Sequence, residues 1–221
     1  MAAAAAAGLW WTRTVSGEGD ERVVELRGHE TGEHGPGTVL ASARLDLSPL
    51  VIGRANLAGT RVHSLLVNRG QVAPRIWWVE SPETGAEPPA MTLIAFATAD
   101  LPASRVIEQP RFRSMRVESS SQVGALRWWP AAGQIHQIYV APEQRRQGIG
   151  TSLLFAAAAY SRLRDWPLLW GSGQRTDLGE VFVTRAHTVI SGRVEARTHD
   201  LPPMTPTERA VGLPRRLIEP D

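Results

Sequence analysis

Apolar residues in the first third of the chain recur at alternate positions, in short runs separated by polar, glycine-rich stretches. Residues 23–26 and 38–47 read as strands, the second placing Val39, Ala41, Ala43 and Leu45 on one side. Between them, residues 28–37 form a predicted loop that carries His29, Glu30, Glu33 and His34 among glycines. Further strands are predicted over 61–67, 75–80 and 91–98, with a turn-rich stretch over 81–89. The alanine-rich start, residues 1–11, has no basic residue ahead of its apolar run. It is expected to be a frayed or packed N-terminal segment rather than a signal peptide.

In the second half the period lengthens. Residues 113–118 and 123–129 read as strands joined by a turn at 119–122, and a second turn at 130–133 leads to a strand over 134–140. A long helix is expected from about 148 to 164, with Ile149, Leu153, Leu154, Ala157 and Ala158 on one face. Pro167 and the apolar residues 168–170 suggest a short buried strand. Asp177 with Glu180 reads as the opening of a second helix. A hairpin around Ser191 and Gly192 and a short capped helix from Thr205 complete the predicted elements. This order describes an α/β or α+β domain. We divide the chain into a strand-rich region over 1–90, a core over 91–198 and a tail with a short helix over 199–221.

Composition narrows the function classes. The chain has no cysteine, which excludes disulfides, thiolate zinc sites and cysteine nucleophiles. All 24 basic residues are arginine, yet they are dispersed among 22 carboxylates and the formal net charge is only +2. A nucleic-acid partner is therefore disfavoured, since it calls for a dense basic stripe. No apolar run approaches the ~18 residues of a membrane span. A cytoplasmic location without membrane attachment is expected, and a homodimer stays open.

The segment with the most chemistry runs from Gln134 to Thr151. A strand ends at Val140, Pro142 turns the chain, and Arg145, Arg146, Gln147, Gly148, Ile149 and Gly150 lead into the long helix. Amide groups at a helix N-terminus lack intrahelical partners and face outward with the positive dipole end behind them, which suits an anion. Arginines at the rim add charge and forked donors. A Walker loop requires lysine, which is absent. A dinucleotide fingerprint requires a third glycine where Leu153 stands.

Val140, Pro142, Arg145, Gly148, Gly150, Leu153 and Leu154 stand in the register Val-x-Pro-x-x-Arg-x-x-Gly-x-Gly followed by an apolar helix. The segment resembles the acetyl-coenzyme A loop of the GNAT (Gcn5-related) N-acetyltransferases, and the resemblance extends over about 123–190. It implies a mixed, mostly antiparallel central sheet flanked by helices, here with an atypical strand-rich N-terminal region. It implies acetyl-CoA as co-substrate and an amine acceptor. The backbone of Ile138, Tyr139 and Val140 would pair with the pantetheine arm where strand 134–140 splays from strand 167–171. The amides of Arg145, Arg146, Gln147, Gly148, Ile149, Gly150 and Thr151 would hold the pyrophosphate, and Arg145 or Arg146 would reach a ribose phosphate.

Direct attack of an amine on the thioester needs proton removal, carbonyl polarisation and protonation of the thiolate. Where many family members carry a glutamate this chain has Gln134. His136, two residues on, is the first choice for a base, with Glu80 and then Glu118 as weaker candidates. The family's general acid is a tyrosine at a position that falls near Phe182. The chain's tyrosines are Tyr139 and Tyr160, and Ser172 or Thr176 would be weak substitutes. Trp78 or Trp129 could line an acceptor pocket. His29 and His34 lack the spacing of a helical zinc motif and read as a solvated loop. Two functions follow from the resemblance: an N-acetyltransferase acting on a primary amine, or a non-catalytic acyl-CoA-binding sensor, which Gln134 and the missing tyrosine keep open.

Overall fold

One alanine-rich helix packs against strands of two sheets. The computed structural model describes residues 8–30, 34–41, 47–68, 74–186 and 194–200. The first sheet contains β1 (Leu9–Ser16), β2 (Val23–Glu30), β3 (Val39–Leu40), β4 (Val51–Asn56) and β5 (Val62–Val67), in the order β3-β1-β2-β4-β5. All its pairings are antiparallel except that of β3 on β1. The second sheet contains β6 (Trp77–Glu83), β7 (Ala90–Phe96), β8 (Val106–Glu108), β9 (Gln122–Trp129), β10 (Gln134–Val140) and β11 (Trp170–Gly171), in the order β11-β10-β9-β7-β6-β8. Its central strands are antiparallel, and its outer strands β8 and β11 join parallel. The two sheets meet where Ser64 bridges Arg105 and where the Leu65 amide donates to the Ser104 carbonyl at 2.8 Å.

The helices are α1 (Gln109–Arg113), α2 (Ile149–Leu163) and α3 (Asp177–Ala186), and a small parallel pair joins β12 (Gln174–Arg175) to β13 (His199–Asp200). Helix α2 touches β2, β4 and β5 on one side and β7, β9 and β10 on the other. Ile149, Leu153, Leu154 and Ala157 are buried as expected, but so are Ser152, Phe155, Ala156, Ala159 and Ser161. A helix packed against two sheets needs small residues wherever a strand backbone approaches. At Gly53 of β4 a Cβ would lie 3.3 Å from the Ala159 Cβ and 2.9 Å from Leu163 Cδ1, so the close approach needs a glycine there and an alanine opposite. The main core follows this helix, joining Leu26, Val51 and Leu65 of the first sheet to Leu93, Leu126 and Trp128 of the second. A smaller aromatic cluster of Trp77, Phe96 and Ile107 lies on the other face of the second sheet, against Phe112.

Several elements differ from the sequence reading. Residues 113–118 form no strand: Pro110, in the first turn of α1, has the fixed φ of a helix start, so the helix follows β8 directly. Met115 and Val117, read as strand positions, pack irregularly on the aromatic cluster. Strand β1 incorporates Trp10 and Trp11, both buried, and β4 falls where no strand was expected. Only Val39 and Leu40 of the predicted 38–47 strand pair, with 42–46 outside the described residues. Strand β6 continues to Glu83 through residues read as turn. The cap of α3 is Thr176, whose Oγ1 accepts the Gly179 N–H at 3.0 Å, while Glu180 pairs with Arg175. Residues 189–193 of the predicted hairpin and the helix from Thr205 lie outside the described residues, while Val194, its last residue, bridges Gly171 in parallel.

Candidate functional site

Strand β10 is flanked on both sides only at its start. Gln134 faces Trp129 of β9 and Trp170 of β11, and Ile135 faces Trp128 and Gly171. Beyond Ile135 the β11 pairing stops, while β9 follows β10 as far as Val140. The sheet therefore opens along one edge of β10. The cleft so formed has a volume of about 500 Å³. Its walls are residues 135–140, the loop that follows, and Leu178, Val181 and Phe182 of α3.

The loop owes its shape to two left-handed residues. Arg146 (φ 65°) and Gly148 (φ 77°) turn the chain so that α2 starts at Ile149. Glycine adopts that conformation freely, whereas the arginine does so against a strain of about 1–3 kcal/mol. The first helical acceptor is the Gly148 carbonyl, which takes the Ser152 N–H at 2.9 Å and the Ser152 hydroxyl at 3.1 Å. The amides of Ile149, Gly150 and Thr151 are thus the outward donors of the helix end. Gly150 has a second role: a Cβ there would come within 3.0 Å of Phe182 Cε2, so its bare Cα lets α3 dock on the start of α2. Arg145, Arg146 and Arg175 bring positive charge to the walls. Arg145 Nε donates to the Val140 carbonyl at 3.3 Å. Arg175 is pinned by Glu180 at 2.7 Å and by the Ser172 and Glu195 carbonyls.

Of the residues singled out in the sequence, His136, Ile138, Tyr139, Val140, Arg145, Arg146, Gly148, Ile149, Gly150 and Thr151 all line this one cleft. Gln147 does not line it, and its side-chain amide donates to the Glu143 carbonyl at 3.3 Å. Ser172 and Thr176 line it as well, and Phe182 occupies the place where the resemblance led one to look for a tyrosine.

Glu80 is not at the cleft. The cross-strand row Ile138, Leu126, Leu93, Glu80 puts it three strands away, about 14 Å at ~4.8 Å per strand. There its carboxylate is buried against α2. It accepts the Tyr160 hydroxyl at 2.6 Å and lies 3.6 Å from Arg164, which itself donates to the Tyr160 oxygen at 2.9 Å. Burial pushes the Glu80 carboxyl above the usual carboxylate range, against the lowering effect of Tyr160 and Arg164. Burial also pushes the Tyr160 phenol far up, with the Glu80 charge adding to it, so the phenol is locked as a donor. Neither group lines the cleft. Glu118 is exposed and outside the cleft, and Trp78 is fully buried with Nε1 donating to the Leu65 carbonyl at 2.8 Å. His29 and His34 pack on Trp10, each with ring centroids 4.6 Å from it, and no metal-binding group of three side chains occurs among the described residues.

His136 has partners the sequence did not announce. Its Nδ1 lies 3.0 Å from Arg127 NH1, and its ring lies 5.0 Å from that of Trp129. Arg127 grips Glu83 through Nε at 3.0 and 3.2 Å and through NH2 at 3.0 Å, and Thr92 Oγ1 donates to Glu83 at 2.6 Å. Partial burial and then the Arg127 charge hold the His136 imidazolium below its usual range. The hydrogen bond from Arg127 likewise holds Glu83 below the carboxylate range. The one sequence signal for Arg127 was a charged residue inside an otherwise apolar strand; Glu83 was hidden in a stretch that reads as turn.

The fold is thus a mixed α+β one whose larger sheet opens beside a helix N-terminus suited to an anion. Residues 105–170, from β8 through α2 into β11, match the model of the acetyltransferase (GNAT) family. Acyl transfer is the class of activity the family implies. Searches of curated proteins and of solved structures gave no match. Among the described residues no helix is long and apolar enough to cross a membrane.

Proposed function

We propose that the chain is an N-acetyltransferase that moves the acetyl group of acetyl-CoA to a primary amine. The observation that carries this reading is the continuity of the cleft: the open edge of β10 runs directly into the loop and the α2 N-terminus. The pantetheine arm lies along Ile138, Tyr139 and Val140. The pyrophosphate takes the amides of residues 145–151, with Arg145 and Arg146 at the rim. The amine nitrogen attacks the thioester carbonyl carbon, the C–N bond forms, the C–S bond breaks and the electron pair leaves on sulfur. The amine's proton passes to water.

A second reading, an acyl-CoA-binding sensor without turnover, is favoured by two positions. Gln134 is enclosed between β9 and β11 and does not line the cleft, and Phe182 places no hydroxyl beside the loop. Calorimetry with acetyl-CoA followed by thiol release across a panel of amines decides between them. Binding with thiol release supports the transferase, binding without release supports the sensor, and absence of binding refutes both.

A further inference from the structure

His136 occupies an unusual place in β10. The register with β9 shifts between Ile135 and Gln137, so His136 is the extra residue of a β-bulge. It also stands one residue beyond Ile135, the last residue of β10 paired with β11. Bulges bend the strand and re-aim a side chain, and this one lies where the sheet begins to open.

The contacts of its ring decide which nitrogen carries the proton. A guanidinium has five N–H donors and no acceptor. The Nδ1 atom that meets Arg127 NH1 at 3.0 Å must therefore present its lone pair, and the proton of the neutral ring is on Nε2. Arg127 cannot turn away easily, because Glu83 holds its other edge through Nε and NH2 and is itself held by Thr92. Trp129 packs on the imidazole at 5.0 Å and restricts its plane. The other ring nitrogen, Nε2, is a donor on an exposed residue that lines the cleft.

We propose that His136 serves the reaction as a neutral hydrogen-bond donor, through Nε2–H, to the acyl carbonyl oxygen, with Arg127 and Glu83 as positioning residues that fix its tautomer. This deepens the acetyltransferase reading and rests on it for the identity of the acyl group. When the amine attacks, the carbonyl electron pair moves to oxygen and the Nε2–H bond strengthens. When the C–S bond breaks, the pair returns and the thiolate departs. The imidazole proton stays on Nε2 throughout, and the amine's proton goes to water. His136 is thus not the base that its position in the sequence suggested. A preorganised donor of this kind acts where charge develops, and losing one costs about 10²–10³ in kcat.

The test has a spectroscopic arm and a kinetic arm. In ¹⁵N-labelled protein, long-range ¹H–¹⁵N correlations of the histidine rings, assigned through His136→Gln, should show His136 protonated on Nε2. Arg127→Leu should convert it to a mixture of tautomers, and Glu83→Gln should do so in part. A His136 ring protonated on Nδ1 overturns the proposal. In the kinetic arm, glutamine keeps an N–H donor but takes no proton. His136→Gln should stay within about tenfold of wild type while His136→Ala falls about 100-fold, both with unchanged acetyl-CoA affinity. Equal losses in the two variants would make the residue a base and overturn the proposal. A wild-type protein that binds no acetyl-CoA would remove the acyl-transfer reading itself, and the ring tautomer would still be read by NMR.

Discussion

Replacing Tyr160 by phenylalanine removes one oxygen atom from the middle of the protein and leaves the ring in place against Trp128 and Trp166. That oxygen links α2 to β6: it donates to Glu80 at 2.6 Å and accepts from Arg164 at 2.9 Å. A hydrogen bond to a charged group contributes about 1.5–3 kcal/mol, and its loss leaves Glu80 buried with less solvation. Arg164, already 3.6 Å from the carboxylate, can close part of the gap. We therefore expect Tyr160→Phe to lose about 2–3 kcal/mol near neutral pH.

The pH dependence is a sharper test. Burial raises the Glu80 carboxyl above its reference value of 4.5, so the folded state holds that proton more tightly than the unfolded chain does. The stability this contributes is complete below 4.5 and is lost as pH rises through the raised value. The Tyr160 hydroxyl opposes that loss, since it favours the charged form. The deficit of Tyr160→Phe should accordingly be small near pH 4.5 and grow toward neutrality. Guanidinium unfolding followed by tryptophan fluorescence at the two pH values measures it. A deficit under about 0.5 kcal/mol at neutral pH, or one equal at both, would refute the argument, because surface-like substitutions fall in that range. Thiol release by the variant should match wild type, since neither Tyr160 nor Glu80 lines the cleft.

Gly148→Ala forces a side chain into φ 77° at the start of α2; it should destabilise the fold by about 1 kcal/mol and weaken acetyl-CoA binding in calorimetry. Gly59→Ala combines φ 68° with a Cβ only 2.2 Å from the Leu163 carbonyl oxygen and should cost about 3 kcal/mol or more. Gly85→Ala, with nothing within 4 Å, is its control and should stay within about 0.5 kcal/mol in the same denaturation assay. Arg146→Ala should weaken acetyl-CoA binding and flatten its dependence on salt, because an arginine at the cleft rim acts partly through screened charge.

How much of this was legible without the fold differs from element to element. Helix α2 was readable because its 3.6-residue period runs over four turns, and strands β9 and β10 because they are short, largely apolar runs bounded by turn residues. Strand β4 was missed because its inward positions, Val51, Gly53 and Ala55, include two small residues that carry little hydrophobic signal. They are small because α2 crosses there, and no local pattern announces a crossing. Ser152 and Ser161 were unreadable as core for the same reason: a helix with one apolar face was expected, and the second sheet buried the other face as well.

What the sequence by itself determined is the loop. Its proline turn, its arginines, its glycines and the helix after them act over a few residues, so the outward amides and the left-handed Gly148 follow from local chemistry. The tertiary structure alone decided the surroundings of each ionisable group. From the sequence His136 was the first candidate and Glu80 a weaker one, both on predicted strands. Strand order sent Glu80 three strands away and buried it under Tyr160, while the early end of the β10–β11 pairing left His136 at the opening of the cleft. A charge's partners come from residues distant in the chain, here Tyr160 for Glu80 and Arg127 with Glu83 for His136, and partners of that kind are set only when the sheet is assembled.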